Sequence, residues 1–169
     1  KISELAWSIP LVETAPITDK SGSLFLVFGN LGDKTKGGHL LITVGPGFII
    51  QEYLKIFENF FRFKAKELRQ SKDMIQIKMT PPASKEFSST EGLLLFIKNQ
   101  AGKLELKYEF TIKKLGYTKG SVALEKNELV FPYALAHKDF MLGQDMIDQD
   151  KMLVHFKEVL DQVKMKANY

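Results

Sequence analysis

Residues 102–114 alternate between apolar and polar side chains almost without error. Leu104, Leu106 and Tyr108 fall on one parity, whereas Glu105 and Lys107 fall on the other. Because successive side chains of a β-strand point to opposite faces, this period of two predicts a strand with one apolar and one polar face. The apolar face must therefore pack against a core, a second sheet or a bound molecule.

Further strand signals recur along the chain, mostly between turns that contain glycine, proline or asparagine. They lie at residues 23–29, 39–45, 59–68, 73–80, 92–99 and 121–131. The last segment carries two apolar arms around Lys126-Asn127, which predicts a hairpin that turns there. Together these segments predict about eight strands.

Two segments have helical rather than strand periodicity. Residues 49–58 predict a short helix, although their continuation suits a strand. Residues 150–166 predict a longer amphipathic helix, with Asp148 or Asp150 as its N-cap. The apolar stripe of this C-terminal helix consists of Met152, Phe156, Val159, Leu160 and Val163.

Side-chain parity also predicts how neighbouring strands pair, because a one-residue slip would move every side chain to the other face. A two-residue turn at 100–101 pairs Leu93 with Tyr108, Leu95 with Leu106, and Ile97 with Leu104. A three-residue turn at 70–72 pairs Phe63 with Met79, and Ala65 with Ile77. In both hairpins the apolar residues share one face.

The pattern predicts a mainly-β single domain over residues 1–169, an antiparallel meander of about eight strands that closes into a barrel. Closure removes the edges that apolar strands otherwise expose. We expect the C-terminal helix to pack on the outside of this barrel, because Leu94 and Phe96 give the outward face an apolar landing site. A β-sandwich with a solid core is the alternative.

Composition and charge exclude several function classes. The net charge is +4, but Arg62 and Arg69 are the only arginines and the lysines alternate with acids along the strands, so we expect no nucleic-acid partner. No apolar run approaches the ~20 residues of a membrane-spanning helix, so we expect no membrane insertion. The absence of cysteine excludes disulfide, thiolate-metal and cysteine-nucleophile chemistry. We expect a monomer or a weak dimer.

Catalytic and metal-binding motifs are not found in the sequence. His39, His137 and His155 stand far apart and lack the spacing of a metal site. The acidic residues before the C-terminal helix lack the order of a calcium loop, and the glycine-rich stretches lack the pattern of a phosphate loop. The sequence therefore predicts no enzymatic activity, no metal and no cofactor.

The chain is rich in flexible and aromatic apolar residues, with thirteen phenylalanines, five tyrosines and six methionines. These residues suit a plain core, and they also suit a pocket for an apolar ligand. A barrel of about eight strands is either filled by side chains or holds one small molecule. For the second case we expect Tyr108 to orient a polar head group. The expected ligand-binding residues are Phe61, Phe63, Ile77, Met79, Leu95, Leu106, Tyr108 and Phe110.

The loop at residues 80–90 distinguishes two functions. Phe87 is its one large apolar residue, and Pro81-Pro82 stiffen the segment. An exposed Phe87 over a filled interior favours an adaptor that binds a protein partner. A buried Phe87 at the mouth of a void favours a carrier of a small apolar or amphiphilic molecule.

The order of elements resembles the lipocalin family of the calycin superfamily: an N-terminal segment with the only tryptophan, about eight meandering strands, and a C-terminal helix. That family carries Gly-x-Trp at its first strand, where this chain has Leu-Ala-Trp at residues 5–7. Its Thr-Asp-Tyr motif and late arginine have no counterpart here. The resemblance implies that Trp7 plugs one end of the barrel, and that the function is non-catalytic binding or transport.

The first residue, Lys1, is not a methionine, which is typical of a processed chain or of deliberate trimming. On this basis we expect the protein to be secreted or periplasmic.

Overall fold

A computed structural model describes residues 8, 11, 15–20, 22–30, 32–118, 121–143 and 146–167 of the chain. The strands are β1 (Leu24–Asn30), β2 (Asp33–Ile42), β3 (Lys64–Ser71), β4 (Met74–Thr80), β5 (Thr90–Gln100), β6 (Lys103–Thr118) and β7 (Ser121–Ala136). The helices are α1 (Phe48–Asn59), α2 (His137–Phe140) and α3 (Gln149–Ala167), with a 3-10 turn at Lys85–Phe87.

The strands form two separate antiparallel sheets. One is the two-stranded hairpin of β1 and β2, and the other is a five-stranded meander in the order β3-β4-β5-β6-β7. Strands β3 and β7 lie at opposite edges of the larger sheet and do not pair. The predicted barrel is therefore wrong, although the mainly-β composition and the meander are present.

Two segments explain why the larger sheet has too few strands to close. Residues 59–63 are not part of a strand, because α1 continues to Asn59 and Arg62 then turns the chain with a φ of 59°. Residues 121–131 do not turn at Lys126-Asn127, because β7 pairs with β6 without interruption and Lys126 lies opposite Lys113. Five strands are fewer than the ~8 at which a barrel interior is just filled by side chains.

Helices rather than further strands cover the apolar face of the sheet. Helix α1 contacts β3 and β5, and α3 contacts β6, β7 and α1. The ring of Phe156 in α3 lies 4.3 Å from that of Phe57 in α1 and 6.0 Å from that of Phe63. Both helices therefore bury their apolar stripes against the same face of the meander.

The predicted docking site of the C-terminal helix is consequently wrong. Met152, Phe156 and Val163 belong to one core cluster with Leu93 and Leu95. Leu94 and Phe96 point to the opposite face, because neighbouring residues of a strand alternate. Because the sheet does not close, its apolar inner face is left for the helix to cover.

The start of α3 agrees with the sequence pattern. The Asp148 side chain accepts a hydrogen bond from the backbone N–H of Lys151 at 3.2 Å, so Asp148 is the N-cap. Buried residues of α3 are Met152, Phe156, Val159, Leu160 and Val163, which is the predicted stripe. Among the described residues, none of the helices is both long and apolar enough to cross a membrane.

The outer face of the sheet carries charged residues together with apolar ones, among them Phe96 in β5, Leu115 in β6 and Leu124 in β7. The ammonium group of Lys107 lies 4.1 Å from the centre of the Phe96 ring and partly shields it. Acids and lysines alternate on this face, and Glu91 forms ion pairs with Lys126 and, more loosely, with Lys113. This face therefore has a charge pattern typical of a solvated surface.

The base of the β1–β2 hairpin is attached to the larger sheet through residues 17–19. The side chain and backbone of Thr18 exchange hydrogen bonds with Val44, which directly follows the hairpin. Gln70 in β3 accepts a hydrogen bond from the Ile17 N–H and donates its own N–H to Asp19. The hairpin is thus held at its base, and within the described residues its two strands pair with each other and not with the larger sheet.

Candidate functional site

The predicted ligand-binding residues lie together, but under the helices. Phe63, Ile77, Met79, Leu95, Leu106, Tyr108 and Phe110 are buried in the core, and Phe61 packs against it half-buried. Among these residues, Phe63 lies just before β3 and Tyr108 lies in the middle of β6. The barrel interior that they were predicted to line does not exist, because the sheet is open. Their role in ligand binding stays a prediction.

Aromatic rings occupy the space between the helices and the sheet. The Phe57 ring lies 5.1 Å from the Tyr53 ring, and the Phe61 ring lies 4.7 Å from the Phe156 ring. Tyr53, Phe57 and Phe156 are completely buried. Edge-to-face contacts of this kind are typical of a close-packed core.

Phe87 belongs to the same core. Its side chain is 7% exposed and its ring lies 5.0 Å from that of Phe63. The loop at 80–90 forms a 3-10 turn at Lys85–Phe87 that directs this ring inward. Phe87 is therefore neither an exposed anchor for a partner nor the lid of a barrel.

A buried polar network connects both helices to the sheet. The hydroxyl groups of Tyr53 in α1 and Tyr108 in β6 are hydrogen-bonded to each other. The Tyr108 hydroxyl also lies 3.2 Å from Nε2 of His155 in α3, whose ring packs edge-on against Tyr133 in β7. The sequence predicted a head-group role for Tyr108, but this hydroxyl already has two partners within the protein.

Burial sets the protonation states of this network. Loss of solvent contact raises the pKa of both Tyr53 and Tyr108 above the ordinary tyrosine value. Burial also lowers the pKa of His155, partly opposed by the nearby carboxylate of Glu158. Neutral tyrosines and a neutral histidine therefore form a structural connection between the layers of the fold.

The remaining histidines do not form a site with His155. Nε2 of His137 lies 2.7 Å from Oδ1 of Asn99, and its ring packs against Phe140. His39 is exposed in the hairpin, where its ring packs edge-on against Phe25. Over the described part of the chain, histidines and acids form no group that could hold a metal ion.

The β1–β2 hairpin is the most apolar exposed surface that the structure describes. The valine face of the hairpin consists of Phe25, Val27, His39 and Leu41. The leucine face consists of Leu24, Leu26, Phe28, Leu40 and Ile42, together with Gly38. Most of these side chains are exposed, and Val27 reaches 77%.

An open hollow of about 720 Å³ lies at the hairpin. It is lined by Phe25, Val27, Phe28, Gly29, Gly37, Gly38 and His39. Within it, the Phe28 ring lies so close to Gly38 that a Cβ added at Gly38 would clash with it. The hairpin thus offers an open hollow beside its exposed apolar side chains.

No known protein family, no curated protein and no solved structure matches the chain. The resemblance to lipocalins stays a prediction on this account. Trp7, the one residue carried over from that family, lies outside the described residues.

The sequence of the hairpin strands lacks the alternation of apolar and polar side chains that marks residues 102–114. Residues 24–28 and 40–42 are apolar without alternation, so both faces of each strand are apolar. Strands of this kind are normally covered on both faces. Here the structure leaves them exposed, which is the feature that parity alone could not predict.

Proposed function

We propose that the chain is a protein-interaction module whose contact element is the β1–β2 hairpin. The observation that carries the proposal is the exposure of large apolar side chains on both of its faces, including Val27, Phe28 and Leu41. Contiguous apolar surface of this kind commonly marks a site that another molecule covers. This is the second of the two functions that the sequence predicted, without the sandwich fold.

The hairpin by itself has little to stabilise it. A two-stranded sheet is marginally stable in water unless a third strand or a packed layer covers it. In the part of the chain that the structure describes, hydrogen bonds at Thr18 and Val44 fix the base, and no strand of the larger sheet extends the pairing. A bound partner would supply the missing layer.

A protein partner fits the hairpin better than a lipid bilayer does. The outer edges of β1 and β2 carry backbone groups that need hydrogen-bond partners, which hydrocarbon does not provide. The paired segment that holds the apolar side chains, residues 24–28 with 38–42, extends about 17 Å at ~3.4 Å per residue. A spanning strand needs about 9–11 residues.

The edge strand β7 is a weaker candidate for partner binding. Pro132 lies within it and lacks the N–H group that an added strand would need. Glu125, Lys126 and Glu128 add exposed charges along the same strand. Such features protect sheet edges from pairing with other chains.

Site-specific photo-crosslinking in the cells that make the protein tests this proposal. A photoreactive side chain in place of Val27 should give a cross-linked product of defined mass, whose composition mass spectrometry identifies. Leu124 is the matched control, because it is also an exposed aliphatic residue of a strand, at 66% exposure, but lies outside the hairpin. Its photoreactive variant should give no such product.

The outcomes separate clearly. A defined product from position 27 that disappears when Leu41 is changed to lysine supports the proposal, because Leu41 lies on the same face as Val27. No product from position 27, or the same products from positions 27 and 124, contradicts it.

A further inference from the structure

A separate hollow lies on the outer face of the larger sheet, and we refer to it as the outer hollow. Its volume is about 760 Å³, which falls within the ~300–1,000 Å³ of small-molecule sites. Lys78 and Thr111 line it, and each lies between two buried residues, so both side chains point to the outer face. None of the described residues that line it belongs to the β1–β2 hairpin. The outer hollow is therefore distinct from the surface that carries the proposed function.

Positive charge is in excess around the outer hollow. Two carboxylates line it, those of Glu67 and Glu91. The cationic side chains that line it are Lys20, Lys66, Arg69, Lys78 and Lys126. The excess is three positive charges, whereas the whole chain carries a net charge of +4. A ligand with several negative charges would therefore be attracted to this part of the sheet.

The carboxylates neutralise only part of this positive charge. The carboxylate of Glu67 lies 2.8 Å from the guanidinium of Arg69 and 3.8 Å from the ammonium group of Lys20. Within the described residues, Lys66 and Lys78 form no ion pair, and both side chains are exposed. Their ammonium groups are therefore available to a negatively charged ligand.

The floor of the outer hollow is open and carries two hydroxyl groups. Thr111 lies opposite Gly92 in the sheet, and Thr80 follows Met79, which lies opposite Leu93. A Cβ added at Gly92 would meet only the Met79 carbonyl oxygen, at 3.8 Å, so the space above Gly92 is free. Both threonines are half-buried, and their hydroxyl groups form no hydrogen bond with another described residue. These hydroxyl groups can donate hydrogen bonds to the oxygen atoms of a ligand above Gly92.

A small ligand fits this surface better than an extended nucleic acid does. Beyond the outer hollow, the same face of the sheet carries the carboxylates of Glu105, Glu109 and Glu128. A nucleic acid that crossed the sheet would bring its phosphates close to these carboxylates, whereas binding requires phosphates to meet cations. A small anion stays within the hollow and avoids them.

We propose that the outer hollow binds a small ligand that carries two or more phosphate or carboxylate groups. Lys66 and Lys78 contact its charged oxygens, and the hydroxyl groups of Thr80 and Thr111 donate hydrogen bonds to it above Gly92. Lysine acts as a point charge toward phosphate, which is the chemistry that these ammonium groups supply. Because the hollow is open to solvent, salt screens the charges, so the affinity falls as the ionic strength rises.

Titration calorimetry of the purified chain at low ionic strength tests this proposal with two probes, sodium tripolyphosphate and citrate. Each probe that binds should do so saturably with one site per chain. Changing Lys66 and Lys78 together to glutamine should weaken binding about tenfold or more, because two charge-assisted contacts are lost. Lys157→Gln is the matched control, because Lys157 is an exposed lysine of α3 that forms no ion pair within the described residues. It should leave the affinity unchanged.

Gly92→Val tests the floor of the hollow independently of charge. Gly92 has no positive φ, so a valine can adopt its backbone conformation, and its side chain would fill the space above the sheet. This variant should also weaken binding about tenfold or more, because the ligand can no longer approach the strands. Circular dichroism of each variant shows whether it remains folded.

Each outcome decides the proposal. Binding that the double lysine variant and folded Gly92→Val both weaken, and that Lys157→Gln does not, supports it. The probe that binds then identifies the group that the ligand carries. No saturable binding of either probe overturns the proposal, as does binding that Lys157→Gln weakens equally. Duplex DNA that binds through Lys66 and Lys78 when neither small probe binds also overturns it, in favour of a nucleic-acid partner. None of these results changes the cross-linking expected at Val27, so the proposed function is tested separately.

Discussion

The hydroxyl group of Tyr53 in α1 is hydrogen-bonded to that of Tyr108 in β6, and both side chains are completely buried. Tyr108 continues the chain to Nε2 of His155 in α3. When Nε2 carries no proton, Tyr108 donates to it and accepts from Tyr53, so each of these hydroxyl hydrogens has an acceptor. One tyrosine of the sheet thereby connects both helices.

Because Tyr108 lies between Tyr53 and His155 in this network, removal of its hydroxyl should destabilise the fold more than removal of the Tyr53 hydroxyl. Tyr108→Phe leaves the buried Tyr53 hydroxyl without an acceptor and should lower the free energy of unfolding by about 1–3 kcal/mol. Tyr53→Phe removes one hydrogen bond and should cost about 0.5–1.5 kcal/mol. Tyr133→Phe is the control, because its ring but not its hydroxyl contacts His155. Urea denaturation measures the free energy of unfolding of all three variants. Equal losses for Tyr108→Phe and Tyr53→Phe would contradict a hydrogen bond that Tyr53 donates to Tyr108.

His155 predicts that stability falls in mild acid. Burial lowers the pKa of His155, so the unfolded chain takes up its proton at a higher pH than the folded chain does. The stability that neutral His155 contributes is fully present above the ordinary histidine pKa of about 6.5. It is lost as the pH falls from there through the folded pKa. The groups around the ring are Tyr108 from β6, Tyr133 from β7, and Glu158 from its own helix, which partly opposes the shift.

The measurement is the free energy of unfolding between neutral and mildly acidic pH, for the wild type and for His155→Gln. Glutamine keeps an acceptor near Tyr108 and does not titrate. The variant should lose less stability than the wild type on acidification. An identical pH dependence in both proteins would exclude His155 as its source.

The position of α3 predicts which aromatic substitutions are costly. Phe156 is completely buried and contacts the rings of Phe57, Phe61 and Tyr108. Phe156→Ala should lower the free energy of unfolding by about 3–5 kcal/mol. Phe96→Ala, on the outer face, should cost much less because the ring stays partly exposed. Denaturant unfolding measures both variants. Equal losses of unfolding free energy for Phe156→Ala and Phe96→Ala would contradict the packing of α3 on the inner face of the sheet.

The turn between β5 and β6 offers a stabilising substitution. Its two central residues, Ala101 and Gly102, both have positive φ, 52° and 75°. Alanine is strained there, whereas Asn-Gly is the favoured pair in such turns. Ala101→Asn should therefore raise the free energy of unfolding by about 0.5–1 kcal/mol. Asparagine in place of Ala83, an exposed loop residue without positive φ, should give no gain.

The local parts of the fold could be predicted from the sequence, because period and parity are local properties. The stripe of α3 and its N-cap Asp148 are confirmed. In the β5–β6 hairpin the apolar residues do share one face, but Leu95 pairs with Tyr108 rather than with Leu106. The turn lies at Ala101-Gly102, one residue later than predicted, which shifts the register by two and preserves the faces.

The closure of the sheet could not be predicted, because it depends on which distant surfaces pack together. Amphipathic strands look the same whether another part of a barrel or a helix covers them. Phe61 suited either a helix or a strand, and the structure places its ring beside Phe156 of α3. The candidate site was missed for a related reason. Residues 24–28 and 40–42 are apolar on both faces, but this pattern does not say whether the same chain covers them.

Hydrogen–deuterium exchange of the β1 and β2 amides tests the central claim most directly. The purified chain at high dilution is compared with the complex isolated under mild conditions from the cells that make it. The account predicts rapid exchange of these amides in the dilute chain and marked slowing in the complex, while β5 and β6 exchange slowly in both. Hairpin amides that are already as protected as those of β5 in the dilute chain, or that exchange equally fast in both samples, would contradict the account.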